Sequence, residues 1–133
     1  MESIPADATD LFEKRTFAHL TTLFPDGSPH ATPVWIGYDE AANRLLVNTE
    51  RDRQKEKNVR ADPRVALSMT DPDDPYRMLS VTGEVDELTT DGAREHADEL
   101  AGRYTGTAAY PSPIETERII MRIRPDTVRY GGD

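Results

Sequence analysis

Within ten residues, Arg51-Asp52-Arg53-Gln54-Lys55-Glu56-Lys57-Asn58-Val59-Arg60 brings together five positive charges, in a chain whose formal charge is −9. The run follows Asn48-Thr49, at the end of a predicted strand, and opens a predicted helix. Unpaired N–H groups in a first helical turn, together with the helix dipole, favour an anion at that junction. Arg and Lys side chains from the same turn, helped by the Thr49 hydroxyl, would complete a phosphate cradle. The bland alternative is a solvated helix face on which Glu56 and Arg60 pair at i,i+4 spacing.

Trp35 is the other residue with chemistry to offer. It alternates out of the set Thr32, Val34, Ile36 and so faces a partner subunit, a planar ligand or simple packing. Tyr76 and Tyr104 read as packing residues, and His30, beside a turn, as solvent-exposed. No Ser-His-Asp arrangement stands out, and no catalytic residue is assigned. If the chain is an enzyme, its reactive chemistry resides in a bound cofactor that the protein orients and surrounds with charge.

Composition narrows the choices. The 133 residues suffice for one hydrophobic core and are few for two, so 1–133 is read as a single domain. The acidic balance, 25 Asp and Glu against 16 Lys and Arg, opposes nucleic-acid and anionic membrane surfaces, which are met with excess cations. It favours solubility and would suit a high-salt environment. Without cysteine there are no disulfides, thiolate nucleophiles or Cys-based metal sites. His19, His30 and His96 have no metal-ligand spacing, and no metal is expected. The N-terminus does not read as a signal peptide, and no apolar stretch nears the roughly 20 residues that span a bilayer. A cytoplasmic location follows as the default expectation.

The elements that must position these residues are mostly short strands. Residues 7–16 read as a helix capped by Asp7 and seated by Leu11, Phe12 and Phe17. Strands follow at 17–23 and 30–38 around the Pro25-Asp26-Gly27 turn, and Pro33 requires an edge or bulge. A third strand, 44–49, leads to a helix over 53–61 that Asp52 caps and Pro63 ends. Val65, Leu67 and Met69 point inward from strand 64–70. Strand 78–88 turns Leu79, Val81 and Val85 to one side, with a bulge or close approach at Gly83. Thr90 or Asp91 caps a helix over 91–104 whose apolar stripe is Ala93, Ala97, Leu100 and Tyr104, with Arg94 and Asp98 paired. A loop over 105–115 precedes the last strand, 117–124. Six strands joined by tight turns predict a mainly β, six-stranded antiparallel barrel with short flanking helices.

Several stretches resemble a known family. They are Leu20-Thr21-Thr22-Leu23, Asp26-Gly27-Ser28-Pro29, Thr32-Pro33-Val34-Trp35, Asn48-Thr49, the run from Arg53 to Val65, and Val81-Thr82-Gly83-Glu84-Val85. In order and spacing the chain is similar, over residues 12–130, to the pyridoxamine 5'-phosphate oxidase-like split-barrel flavin and deazaflavin reductases, above all those that use coenzyme F420. The resemblance implies a homodimer with two cofactor sites across the subunit interface. Arg53 and Lys55 would hold the cofactor phosphate, with Asn48, Thr49, Gln54 and Lys57 nearby. Thr32, Pro33, Val34 and Trp35 would line the ring, and Tyr76, Arg77 and Met78 would approach from another strand. It implies an oxidoreductase that passes a hydride between F420 and a small unsaturated, planar substrate. An FMN-binding flavoprotein and a non-catalytic cofactor-binding or storage protein are the alternatives. True pyridoxamine phosphate oxidases usually carry Arg where this chain has Gln54, and add a C-terminal extension after the equivalent of Val128-Arg129-Tyr130. Vitamin B6 oxidation is therefore not expected.

Overall fold

A computed structural model describes residues 1–131. Its centre is one antiparallel sheet in the order β2-β1-β5-β6-β7-β4-β3. The strands are β1 (Phe17–Leu23), β2 (Pro29–Trp35), β3 (Gly37–Asp39), β4 (Arg44–Glu50), β5 (Arg64–Asp71), β6 (Asp74–Thr89) and β7 (Arg118–Gly131). The sheet curls into a half-barrel, so that β2 and β4, which share no ladder, still touch. Two α-helices, α1 (Gln54–Ala61) and α2 (Ala93–Thr105), and an N-terminal 3-10 helix (Ala6–Phe12) flank it. No helix among the described residues is long and apolar enough to cross a membrane.

Alternation dictates the interior. Ala18, Leu20 and Thr22 of β1, Val65, Leu67 and Met69 of β5, and Leu79 and Val81 of β6 are all buried, as a period of two requires of a sheet with one face on a core. Met121 and Ile123 of β7 join Leu45 and Val47 of β4 in the same cluster, which Leu11 and Phe12 close from the 3-10 helix. Pro33 lies on β2, an edge strand hydrogen-bonded only to β1, where a missing N–H costs nothing. At Gly83 the β6–β7 register shifts, and a Cβ there would stand 1.9 Å from the Arg124 carbonyl oxygen. Only glycine permits that approach.

Where the sequence-based boundaries fail, tertiary context is the reason. The predicted strand 30–38 divides at Ile36, so the sheet has seven strands. β6 and β7 outrun their apolar patterns because each completes the other's hydrogen bonding as far as Met78 opposite Gly131. None of the three helices has the predicted side-chain cap: the capping positions fall to Pro5, Arg53 and Gly92. Asp52 instead takes a left-handed φ of 70°, and its N–H donates to Glu56 Oε1 at 2.9 Å. Phe17 does not seat the N-terminal helix. It points to the outer face and is 52% exposed.

Candidate functional site

The ten-residue basic run divides into two populations. Arg60 pairs with Glu56 at 2.5 Å and with Asp52 at 2.8 Å, and Arg51 pairs with Glu117. Those are the ordinary ion pairs of the bland reading. Lys57 is exposed. Arg53 and Lys55 behave differently: both line a cavity of ≈ 330 Å³ between the ends of β4 and β7, the outer side of β2, helix α2 and the loop after it.

Three cations meet there, because Arg118 opens β7 directly opposite Glu50 in the β4 ladder. Burial first, and then the charges of Arg53 and Arg118, hold the Lys55 amine below the usual lysine range. Arg118 donates from Nε to Asn48 Oδ1 at 2.7 Å and lies over the Tyr110 ring at 4.4 Å. Glu50 supplies the carboxylate, and it is largely committed. Its Oε1 accepts from the Thr116 N–H at 2.8 Å and from the Glu115 N–H, while Arg53 reaches Oε2 at 3.3 Å. Those amides, foremost that of Thr116, hold the Glu50 carboxyl below the ordinary range and tie the loop 106–117 to the end of β4. The remaining charge is a positive excess at the mouth of a partly enclosed cavity, which suits an anionic group.

The other wall is aromatic. Trp35 stacks on Tyr104 with centroids 5.0 Å apart and planes within 4°, and Tyr110 meets it edge-on at 6.2 Å. Tyr104 is a packing residue, as expected. Its hydroxyl donates to the Thr16 carbonyl and accepts the Ile36 N–H at 3.1 Å, which fixes helix α2 to the sheet and holds the Trp35 platform flat. Pro33 and Val34 border the same space, and Phe17, opposite Trp35 in the β1–β2 ladder, extends the apolar rim.

Of the residues named from sequence, the fold brings Pro33, Val34, Trp35, Asn48, Thr49, Arg53 and Lys55 together around this cavity. Thr32 faces the barrel interior opposite Leu20, its hydroxyl buried without a partner. Gln54 turns to β1, donating to Asn58 Oδ1 at 2.8 Å, and Asn58 in turn donates to Thr22 Oγ1 at 3.0 Å. Tyr76, Arg77 and Met78 start β6, at the opposite end of the β6–β7 ribbon from Arg118, and do not reach the cavity of their own chain. Tyr76 is 72% exposed rather than packed. Arg77 bonds Asp10, Asp71 and the Tyr130 hydroxyl. His30 is half-buried against Phe24 rather than solvent-exposed. Sequence reasoning missed Arg118 and Tyr110, whose positions depend on long-range pairing. It also missed Glu50, one residue beyond Asn48-Thr49, where a carboxylate beside the basic run was a usable signal.

A curled antiparallel half-barrel with a cationic and aromatic cavity at its side defines a class: the split-barrel oxidoreductases that bind flavins or deazaflavins. Residues 4–131 match the family model described as pyridoxamine 5'-phosphate oxidase, and the chain belongs to that family. A solved structure of an F420 reductase is 33% identical, with 95% of this chain and 98% of that one aligned at a TM-score of 0.82. A conserved hypothetical protein of Mycobacterium tuberculosis, 24% identical, covers 99% of this chain and 86% of its own at a TM-score of 0.75. A putative pyridoxamine 5'-phosphate oxidase from Listeria innocua shares the fold at 19% identity and a TM-score of 0.62, with 86% of each chain covered. No curated protein matches the chain in sequence.

Proposed function

We propose that the chain is an F420-dependent oxidoreductase, acting on a small, planar, unsaturated organic substrate. The observation that carries this reading is the gathering of Arg53, Lys55 and Arg118 beside the flat Trp35–Tyr104 platform. Arg53 and Arg118 act on Lys55 as like charges, and among the described residues its ammonium has no carboxylate partner. An incoming phosphate relieves that repulsion, and the residues present fit the group. The likeness to an F420 reductase over nearly the whole length of both chains supports the deazaflavin.

When bound, the deazaflavin supplies the hydride chemistry. The chain's part is to hold and exclude. Arg53, Lys55 and Arg118 bind the anionic end, Thr49 lies beside them, and Glu50 keeps the 106–117 wall closed against the cavity. Pro33, Val34 and Trp35 give the ring an apolar surface from which water is displaced, bringing a stacked acceptor to near-attack distance. A second copy of the chain completes the site in this reading, bringing its own Tyr76, Arg77 and Met78 towards the cavity. The exposure of Tyr76 and Phe17 supports an uncovered apolar surface for it.

Equilibrium titration with F420 and with FMN, followed by ligand fluorescence, tests the reading. Micromolar binding of F420, followed by reduction of an enone or quinone acceptor, is the expected outcome. Binding of neither cofactor removes it. The family model favours FMN as the second reading, and preferential FMN binding with absorbance near ~450 nm in the purified protein would select it.

A further inference from the structure

Behind the cavity, His96 of α2, Asn48 of β4 and Arg118 of β7 form one hydrogen-bonded line. Asn48 Nδ2 lies 2.8 Å from the Ala93 carbonyl oxygen and 3.0 Å from His96 Nδ1. Asn48 Oδ1 accepts from Arg118 Nε at 2.7 Å. A carbonyl only accepts and a guanidinium only donates, so one orientation of the Asn48 amide satisfies both. That orientation turns Nδ2 towards the imidazole. His96 Nδ1 must then be a lone pair, and the ring proton belongs on Nε2.

The surroundings keep the ring neutral and in place. Nε2 faces Gly37, where a Cβ would stand 3.1 Å away, so α2 can carry an imidazole here because β3 begins with glycine. A second cavity opens on that side, bordered by Glu13 from the segment after the 3-10 helix, Tyr38 from β3, and Glu99 and Arg103 from α2. Arg103 is tied to the Ile36 carbonyl at 2.7 Å. The β4 residues at the ring, Leu46 and Asn48, carry no charge. Burial dominates, holding the imidazole below its ordinary range. Glu99 pulls the other way, while Arg103 and Arg118 reinforce the burial.

We propose that His96 is a positioning residue for the anion site: neutral, it holds the Asn48 amide turned so that its carbonyl aims Arg118 at the cavity, and protonation releases Arg118. A protonated Nδ1 sets donor against donor across 3.0 Å. If the amide turns over to accept from it, Nδ2 comes to face Arg118, again donor against donor. The site weakens on acidification by the loss of one anchored cation. This rests on the anionic-cofactor reading given above.

The test compares F420 and FMN binding by the wild type and His96→Asn from about pH 5 to about pH 7.5, across the histidine range. Asn offers an oxygen near the place of Nδ1 that does not titrate, and the ligand's own titration cancels in the ratio of affinities. Wild-type affinity is expected to fall about three- to tenfold relative to the variant on acidification. A flat ratio, or a wild type that gains affinity because the imidazolium attracts the anion, overturns the proposal. A second measurement needs neither ligand nor variant: the NMR resonance of Arg118 Nε–H in the free protein should shift with the same midpoint as the His96 ring protons. An Arg118 resonance indifferent to that titration overturns the proposal. A coupled resonance with no cofactor binding keeps the positioning and removes the cofactor reading instead.

Discussion

Two groups of basic side chains sit at opposite ends of the β6–β7 ribbon, and their difference lies in what balances them. At the end where β6 begins, Arg77 meets Asp71 at 2.8 Å and Asp10 at 2.9 Å, while Lys14 meets Asp71 at 2.9 Å and Asp73 at 3.0 Å. Both of these cations have carboxylate partners. Lys14 foremost, then the Asp73 N–H and Arg77, hold the Asp71 carboxyl far below the usual range, and Arg77 is held far above its own. At the end where β7 begins, Arg53, Lys55 and Arg118 line a cavity whose carboxylate, Glu50, pairs with Arg53 through one oxygen while the other already serves two backbone amides. Saturated cations fasten loops together. Unsaturated ones leave room for an anion from outside.

That contrast is broken most directly at the cavity. Lys55→Ala and Arg118→Ala should each weaken cofactor binding at least tenfold, a loss of about 1.4 kcal/mol or more, measured by fluorescence titration. The thermal midpoint of the cofactor-free Lys55→Ala protein should not fall. Burial and like charges disfavour the lysine cation in the folded state, so its removal takes away a penalty. The sign in pH agrees. With the folded value below the unfolded one, wild-type stability rises as pH climbs through the folded value towards the ordinary lysine range. A variant that loses stability but not affinity would make Lys55 a structural residue like Lys14.

The other end should answer in the opposite way. Asp71→Ala leaves Lys14 and Arg77 without their shared partner and should lower the unfolding midpoint by several degrees, read by calorimetry. Arg77 keeps Asp10 as a partner, so cofactor affinity should fall by less than the tenfold, about 1.4 kcal/mol, expected at the cavity itself. The folded Asp71 value is depressed, so its stabilisation is present above the unfolded carboxylate value, about 3.9, and is lost as pH falls from there through the folded value. Wild type and variant should therefore converge in strong acid. A large loss of affinity in Asp71→Ala would sharpen the comparison instead, because it would place Arg77 at the cavity of a second subunit.

These two ends also show what a sequence can disclose. Period-two patterns located every strand but the short β3, and the bulge at Gly83 was readable because glycine interrupts the alternating strand pattern from Leu79 to Val85. The Ala93-Ala97-Leu100-Tyr104 stripe and the Arg94–Asp98 pair, at 3.5 Å, follow from helical spacing alone. That Arg53 and Lys55 would lie together at one site was legible because strand, threonine and basic turn are contiguous. Arg118 was not, since its place in the site exists only once β7 pairs with β4. The unsaturated character of the cavity was also out of reach. Which of five cations in a row meets a carboxylate depends on Glu117 and on the fold of Glu56 over its own helix.

The smallest effect tests whether Glu50 belongs to the structural or the binding side of this division. Glu50→Gln keeps one oxygen for the Thr116 and Glu115 amides, so the tether of the 106–117 loop survives. Its amide nitrogen then faces Arg53, donor to donor, and the partly exposed guanidinium turns away towards the cavity. The guanidinium of this pair is largely exposed and its contact is long at 3.3 Å, so phosphate or cofactor affinity should rise only about twofold, by isothermal titration. Glu50→Ala removes the amide acceptor as well, frees the wall that carries Tyr110, and should lower affinity instead. If both variants change binding in the same direction, the carboxylate acts through its charge alone, and the loop does not depend on it.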